Sequence, residues 1–279
     1  MPQPVIASRY RLECLIGRGS CGAVFRGTDL HNGAAVAVKI LAPVAAGSAS
    51  PTDPLAREIA AARRLSHPGI AAILDTGRSQ GQAWLVMDLA RGAPLSRYVA
   101  TSLQLPEALA LRVGARIALA LAHAHAQGVV HRDLKPSNVM LDLPSGQVTL
   151  LDFGLARIED SQATRTGMTL GTPSYMAPEQ LAGAPASAAS DTYALGVLLF
   201  EMLTGERPHQ GDTLGKLLRS IASAAAADLR TRRPDLPGPI CVAVQRALAR
   251  DPAHRPADLL AYAAQLEALT DGLQTGPPR

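Results

Sequence analysis

Two groups of residues in this 279-residue chain are of types and spacings that can do chemistry. The first is Gly17-Arg18-Gly19-Ser20-Cys21-Gly22-Ala23-Val24, the pattern G-x-G-x-x-G-x-V, followed downstream by Val36-Ala37-Val38-Lys39. A glycine hairpin has no Cβ atoms to keep phosphate oxygens away from the backbone. In a dinucleotide-binding fold such glycines open into a helix; here they open into Ala23-Val24-Phe25, a strand-forming run. Lys39 ends an alternating strand, from which an ammonium can reach phosphates under the hairpin. Each feature also has an ordinary reading, turn glycines in one case and an edge-strand surface lysine in the other. The second group is His131-Arg132-Asp133-Leu134-Lys135-Pro136-Ser137-Asn138, then Asp152-Phe153-Gly154, then Ala177-Pro178-Glu179.

These groups need elements to hold them. Tyr10–Ile16, Gly22–Thr28 and Ala35–Leu41 are rich in Val, Ile and Phe and predict strands, with His31-Asn32-Gly33 as turn chemistry between the second and third. Ala71–Thr76 and Ala83–Leu89 predict another hairpin across Ser79–Gln82. Between them Asp53 and Pro54 open a helix through LAREIAAARRL, after the Ala/Gly/Ser/Pro-rich loop Ala42–Ser50. Beyond residue 90 the pattern turns helical: Pro106–Gln127 stopped by Gly128, a helix capped by Ser190 and closed by Gly205, then Thr213–Ala226, Pro239–Ala249 and Pro256–Leu269. Val130–Gly183 is the long non-helical region and carries most of the polar motifs; Thr270–Arg279 reads as a loose tail.

Composition bounds the function. An apolar fraction of 47% and a charged fraction of 18% support a core and exclude wholesale disorder. No run reaches the roughly 18 apolar residues of a membrane span, and MPQPVIASRY does not read as a secretory signal. Three cysteines, Cys14, Cys21 and Cys241, argue against a disulfide framework and for a reducing, cytoplasmic setting. The net charge of +4 is dispersed and aromatics are 3%, too few for a base-stacking platform, so neither nucleic acid nor membrane is expected as a partner.

The ordered joint occurrence of the glycine hairpin, Val36-Ala37-Val38-Lys39, the His131–Asn138 block, Asp152-Phe153-Gly154 and Ala177-Pro178-Glu179 resembles the protein-kinase signature set. From about Tyr10 to Leu269 the chain is similar to a bacterial Hanks-type serine/threonine kinase domain. That resemblance implies an α+β, bilobal fold. Residues 1–9 are then an N-terminal extension, 10–89 a small antiparallel lobe with one regulatory helix, about 88–92 a hinge, 93–269 a mainly helical lobe, and 270–279 a tail.

The resemblance also assigns roles. Lys39 contacts the α- and β-phosphates of ATP and is held by Glu58; Asp152 and Asn138 bind Mg²⁺ or Mn²⁺, which suit hard oxygen ligands. Asp133 orients the substrate hydroxyl as general base, and Lys135 neutralises the transferring phosphoryl group. Gly17, Gly19 and Gly22 cover the phosphates. Met87 is the gatekeeper, Asp88, Leu89 and Ala90 form the hinge, and Ile16, Val24, Ala37 and Met140 line adenine. Asp-Leu-Lys-Pro-Ser-Asn and Gly171-Thr172-Pro173-Ser174-Tyr175 are similar to the serine/threonine variants of these segments, so protein Ser/Thr hydroxyls are the implied acceptors. Asp191 is expected to anchor the catalytic loop, and Glu179 to pair with Arg255, both buried.

Arg132 beside Asp133 invites an anion, and the segment Asp152–Glu179 offers Ser161, Thr164, Thr166 and Thr169 for autophosphorylation, Thr166 first. Phosphothreonine-binding proteins, a phosphatase and a transient dimer for trans-autophosphorylation are partners by family habit. His123 and His125 are two apart on a helix, which favours structural roles over a metal site. His67-Pro68-Gly69-Ile70 has Gly where the family commonly has Asn, which suggests a looser turn, and Ala62 is small for its spine position. A binding-only pseudokinase and a small-molecule kinase are the alternatives. The first is disfavoured by Lys39, Glu58, Asp133, Asn138 and Asp152 all being present, the second by Lys135, Thr172 and Ala177-Pro178-Glu179.

Overall fold

The computed structural model describes residues 4–19, 22–41, 54–79, 82–99, 104–153 and 173–274, without the side chains of 54–56 and 274. Expectations for Asp53, the Ala42–Ser50 loop, Ser20, Cys21, Gly154, Ser161, Thr164, Thr166, Thr169, Gly171, Thr172 and residues 275–279 lie outside the described residues. The chain divides into two compact units, with the boundary between Arg91 and Gly92.

The first unit is a six-stranded antiparallel sheet, with β1 Val5–Ile6, β2 Tyr10–Gly19, β3 Gly22–Asp29, β4 Ala35–Leu41, β5 Ile73–Ser79 and β6 Gln82–Asp88 in the order β1-β2-β3-β4-β6-β5. The expected five strands are there. The addition is β1: Val5 and Ile6 pair with Arg11 and Tyr10 and form an edge strand ahead of the expected ones. Two residues are too short a run for any periodicity to announce. Gly33, at φ 73°, supplies the left-handed turn before β4. Alternation then sorts the sheet into two faces. Tyr10, Leu12, Val36, Val38, Trp84 and Val86 form one core cluster. Lys39 lies opposite Val24 and Leu85 in the register, on the other face. On that face Leu41 and Leu85 are buried against Ile59 of helix α1, Pro54–Ala62. The His67–Ile70 turn is closed by the Gly69 N–H donating to His67 Nδ1 at 3.0 Å and the Ile70 N–H to the His67 carbonyl at 3.0 Å. It is thus a bonded turn; the histidine ring supplies an acceptor that the glycine lacks.

The second unit is built on helices α2 Glu107–Ala126, α3 Pro178–Leu181, α4 Ala188–Thr204, α5 Leu214–Ser223, α6 Leu229–Arg232, α7 Gly238–Ala247 and α8 Leu259–Gln274. Every residue from Ser190 to Leu203 of α4 is buried, so this helix is apolar nearly all round because neighbours cover all its sides. Each large apolar side chain so buried stabilises by about 1.5–3 kcal/mol. Close crossings need glycine: a Cβ on Gly114 of α2 would lie 2.5 Å from Leu199, and one on Gly196 of α4 would lie 2.9 Å from Ala247. The α4 start differs from expectation. Ser187 is the cap, and Ser190 sits three residues inside, its Oγ accepting the Ser187 N–H at 2.8 Å. A serine at either position reads alike in sequence. Gly205, at φ 75°, closes the helix as expected. Helix α8 runs on to Gln274 with Thr270 buried, so residues 270–274 are helical where the sequence reads as loose.

A small three-stranded sheet joins β7 Ala93–Pro94 to β8 Val139–Asp142 and β9 Gln147–Leu150, the last two within the long non-helical region. Among the described residues no helix is long and apolar enough to cross a membrane.

Candidate active site

The second unit gathers its chemistry at one end of the β8–β9 hairpin. Val139 pairs with Leu150, and the Leu151 N–H donates to the Asn138 carbonyl at 2.9 Å, extending the ladder by one step. That step sets Asp152 beside Asn138 in the chain path. Asp152 then takes a left-handed backbone, φ 61°, and Arg132 does the same at φ 72°. Such conformations cost a non-glycine residue about 1–3 kcal/mol and persist where surrounding contacts impose them.

For Arg132 the contact is Asp191. Its Oδ1 accepts the Arg132 N–H at 2.9 Å, and its Oδ2 accepts the His131 N–H at 2.8 Å and lies 2.8 Å from His125 Nε2. Asp191 is 2% exposed. The loop that follows folds through a 3₁₀ turn at Pro136–Asn138. There the Asn138 amide donates to the Asp133 carbonyl at 2.8 Å and to Asp133 Oδ2 at 2.9 Å, while Lys135 Nζ approaches the same Oδ2 at 2.6 Å. Asp133 is therefore oriented by an ammonium two residues on and an amide five residues on. The His131 ring is buried and lies 4.5 Å from the Phe153 ring. Burial pushes its pKa below 6.5 against the opposing pull of the Asp191, Asp133 and Asp152 carboxylates.

Glu179 Oε1 and Oε2 accept from Arg255 Nη1 at 2.6 Å and Nη2 at 2.8 Å. The arginine end is fully buried; the Glu179 side chain keeps 18% exposure, more than the sequence reading expects. Sequence reasoning missed the neighbouring pair. The Tyr175 hydroxyl donates to Glu201 Oε2 at 2.6 Å, and Arg207 donates to Ser174. Burial raises the pKa of Glu201 and, with the Glu201 charge, that of Tyr175. The available signal was an acid inside an otherwise apolar helix. Arg233 was missed too. It joins Glu107 at the start of α2, the Leu203 carbonyl at the end of α4, and Asp235.

The first unit carries the other group. Lys39 is 6% exposed on the face that α1 covers, and Glu58 is half-buried on α1. Ala37 pairs with Met87, and both are buried; Ile16 is half exposed and Val24 half-buried. The glycines divide. A Cβ on Gly22, φ 137°, would lie 1.9 Å from the Ile40 carbonyl oxygen, so β4 itself demands glycine there. A Cβ on Gly19 would meet nothing within 4 Å, and one on Gly17 only Val24 at 3.8 Å. Their lack of a side chain answers to no described neighbour and leaves the hairpin backbone open to a phosphate. Among the described residues no cluster of three or more His, Cys, Asp or Glu could hold a metal alone. Asn138 and Asp152 offer hard oxygens, a set that fits Mg²⁺ arriving with phosphates rather than a resident cation.

A family model for the protein kinase domain matches residues 10–265. The serine/threonine-protein kinase pkn3 of Myxococcus xanthus is 36% identical over 95% of this chain and 50% of its own length. The serine/threonine-protein kinase PknA of Mycobacterium tuberculosis is 37% identical over 98% of this chain and 64% of its own. The chain thus spans about half to two thirds of these curated relatives. Among solved structures, the PknI kinase domain of Mycobacterium tuberculosis is similar with a TM-score of 0.75 and 28% identity, covering 96% of this chain and 99% of that one. With Asp133, Asn138 and Asp152 on the loops where the motif order puts them, and a match from Tyr10 into the middle of α8, the chain belongs to the protein kinase domain family, among the bacterial Hanks-type serine/threonine kinases.

Proposed function

We propose that this protein transfers the γ-phosphoryl group of ATP to serine and threonine hydroxyls of proteins. The observation that carries the reading is the Asp133 carboxylate held on Oδ2 by both Lys135 and Asn138. In that setting Asp133 accepts a hydrogen bond from the substrate hydroxyl, aims its oxygen in line with the phosphorus and takes its proton, an effect of about 10²–10⁴-fold. Lys135 stays beside it to offset charge on the transferring group. Lys39, held by Glu58, engages the α- and β-phosphates, and Gly17, Gly19 and Gly22 lay their backbone over them. Asp88, Leu89 and Ala90 hold adenine through backbone groups, with Ile16, Val24, Ala37, Met87 and Met140 as its apolar walls. Asn138 and Asp152 are the residues that hold Mg²⁺; when bound, it neutralises phosphate oxygens.

Activation by phosphorylation in trans at Thr166, then Thr164, with Thr169 as a further acceptor, is part of the same proposal, supported by the cationic Arg132 beside Asp133. Phosphothreonine-binding proteins and a phosphatase are its partners in that reading. The setting is the cytoplasm, consistent with Cys14 and Cys241 both being free thiols. Radiolabelled ATP turnover onto a generic protein acceptor tests the function, with Asp133→Asn and Lys39→Met alongside. Wild type should label the acceptor on Ser and Thr and both variants should lose at least about 100-fold. Equal rates in all three would leave a binding protein instead. Phosphopeptide mapping after Mg-ATP tests the sites, and full activity with Ser161, Thr164, Thr166 and Thr169 unmodified would overturn the activation step.

A further inference from the structure

The end of helix α4 carries a second, later contact to the turn around Ser174. Gly205, at φ 75°, caps α4, its N–H donating to the Glu201 carbonyl at 2.8 Å. The Glu206 N–H then donates to Thr204 Oγ1 at 3.1 Å. Glycine takes this left-handed step at little cost. The step returns Arg207, six residues past Glu201, to the wall of the cavity that Glu201 lines. That cavity measures about 710 Å³ and is bounded also by Glu206, His209, Gln210 and Asp212.

Two successive side chains of the 3₁₀ turn Pro173–Tyr175 end here. The Tyr175 hydroxyl donates to Glu201 Oε2 at 2.6 Å, and Arg207 Nη1 donates to the Ser174 hydroxyl oxygen. Ser174 is 3% exposed, so water is a poor substitute for the arginine. A turn held at one side chain can pivot about it; held at two adjacent side chains, by partners six positions apart, it cannot. Arg207 serves the tyrosine bond as well. Burial raises the Glu201 pKa, and the Tyr175 hydrogen bond and the Arg207 charge pull it back. An ionised carboxylate is the stronger partner for a tyrosine hydroxyl. The other two carboxylates of the cavity wall have cations of their own, Arg232 at 3.1 Å from Glu206 and Lys216 at 2.7 Å from Asp212.

Pro173–Tyr175 is the described part of the segment that resembles the serine/threonine substrate-docking segment. We infer that Arg207 is a positioning residue for the protein acceptor: bonded to Ser174 and charged within the cavity of Glu201, it fixes the 173–175 turn that receives the acceptor chain. The inference rests on the kinase reading. Its effect falls on the protein acceptor and spares ATP.

Steady-state phosphorylation with protein acceptor and ATP varied separately tests it. Arg207→Met keeps length and removes both donor and charge; Arg207→Lys keeps both. The KM for the protein acceptor should rise about tenfold in Arg207→Met, with kcat and the KM for ATP within about threefold. Arg207→Lys should return it to within about threefold of wild type. Loss of folded protein would instead lower kcat and leave both KM values alone, so packing by itself does not give this pattern. Ser174→Ala should raise the same KM, and Arg207→Met added to it should cost less than about tenfold more. An unchanged KM for the protein acceptor in Arg207→Met, an equal rise in the KM for ATP, or no rescue by lysine would overturn the inference while the kinase reading stands. A wild type that labels no protein would overturn the kinase reading and this inference with it. Should Arg207→Met not fold, Ser174→Ala decides by the same comparison of the two KM values.

Discussion

Arg255 and Glu179, 76 positions apart, are joined by two parallel bonds, and the rest of the same guanidinium is equally engaged. Its Nε donates to the Ala249 carbonyl at 2.7 Å, Nη1 also to Ala189 at 2.9 Å, and Nη2 also to Arg250 at 3.0 Å. The guanidinium carbon lies 4.9 Å from the centre of the Tyr193 ring. All five N–H donors of an arginine are thus used at a fully buried site. Lysine has three donors on one nitrogen and cannot reach carbonyls on three sides. Arg255→Lys should therefore be far from conservative, and Arg255→Ala should cost about 3–5 kcal/mol by removing the cation that the Glu179 carboxylate pairs with and the donors to three backbone carbonyls. Urea unfolding measures both; a loss below about 1 kcal/mol for either would contradict the assignment.

The glycine hairpin separates folding from ligand approach. Gly22→Ala should destabilise by about 1–3 kcal/mol, because the added Cβ runs into the Ile40 carbonyl at a φ of 137°. Gly19→Ala, with open space around it, should leave stability within about 0.5 kcal/mol and raise the KM for ATP instead. Thermal unfolding and steady-state kinetics on the two variants check this. An unchanged KM in Gly19→Ala would place the phosphates elsewhere.

Acid should weaken the second unit through His131. Its pKa is lowered by burial, so above 6.5 the imidazole is neutral in folded and unfolded chains alike and contributes no slope. Below 6.5 the unfolded chain binds a proton that the folded one resists, and stability falls by up to about 1.4 kcal/mol per pH unit until the folded pKa is reached. His131→Phe, which needs no partner for its ring atoms, should flatten that part of the profile. The stability difference between pH 7.5 and pH 5.5, measured by urea unfolding in both proteins, decides it; equal slopes would contradict the assignment.

What could be read in the sequence follows from how local each signal is. Strands β2 to β6 and helices α2 and α4 announce themselves through alternation, apolar runs and Gly128 or Gly205 as stops. The loop motif places Asp133, Lys135, Asn138 and Asp152 by order alone. The β8–β9 hairpin did not stand out, because four-residue strands amid polar loop residues carry too little periodicity. Ser187 and Ser190 compete for the same capping role, and only the backbone conformation separates them. Contacts such as Tyr175 with Glu201, Arg233 with Glu107, and His125 with Asp191 join segments 26, 126 and 66 positions apart. No window along the chain contains both partners.

The proposed function requires Lys39 and Asp152 to act on one metal-bound nucleotide. A double-mutant cycle on phosphate transfer from Mg-ATP to a protein acceptor tests it most directly. Groups that work as one unit are strongly non-additive. Lys39→Met and Asp152→Asn should each nearly abolish transfer, and the double variant should be about as slow as the slower single one. Losses that multiply, or a single variant as fast as wild type, would contradict the claim.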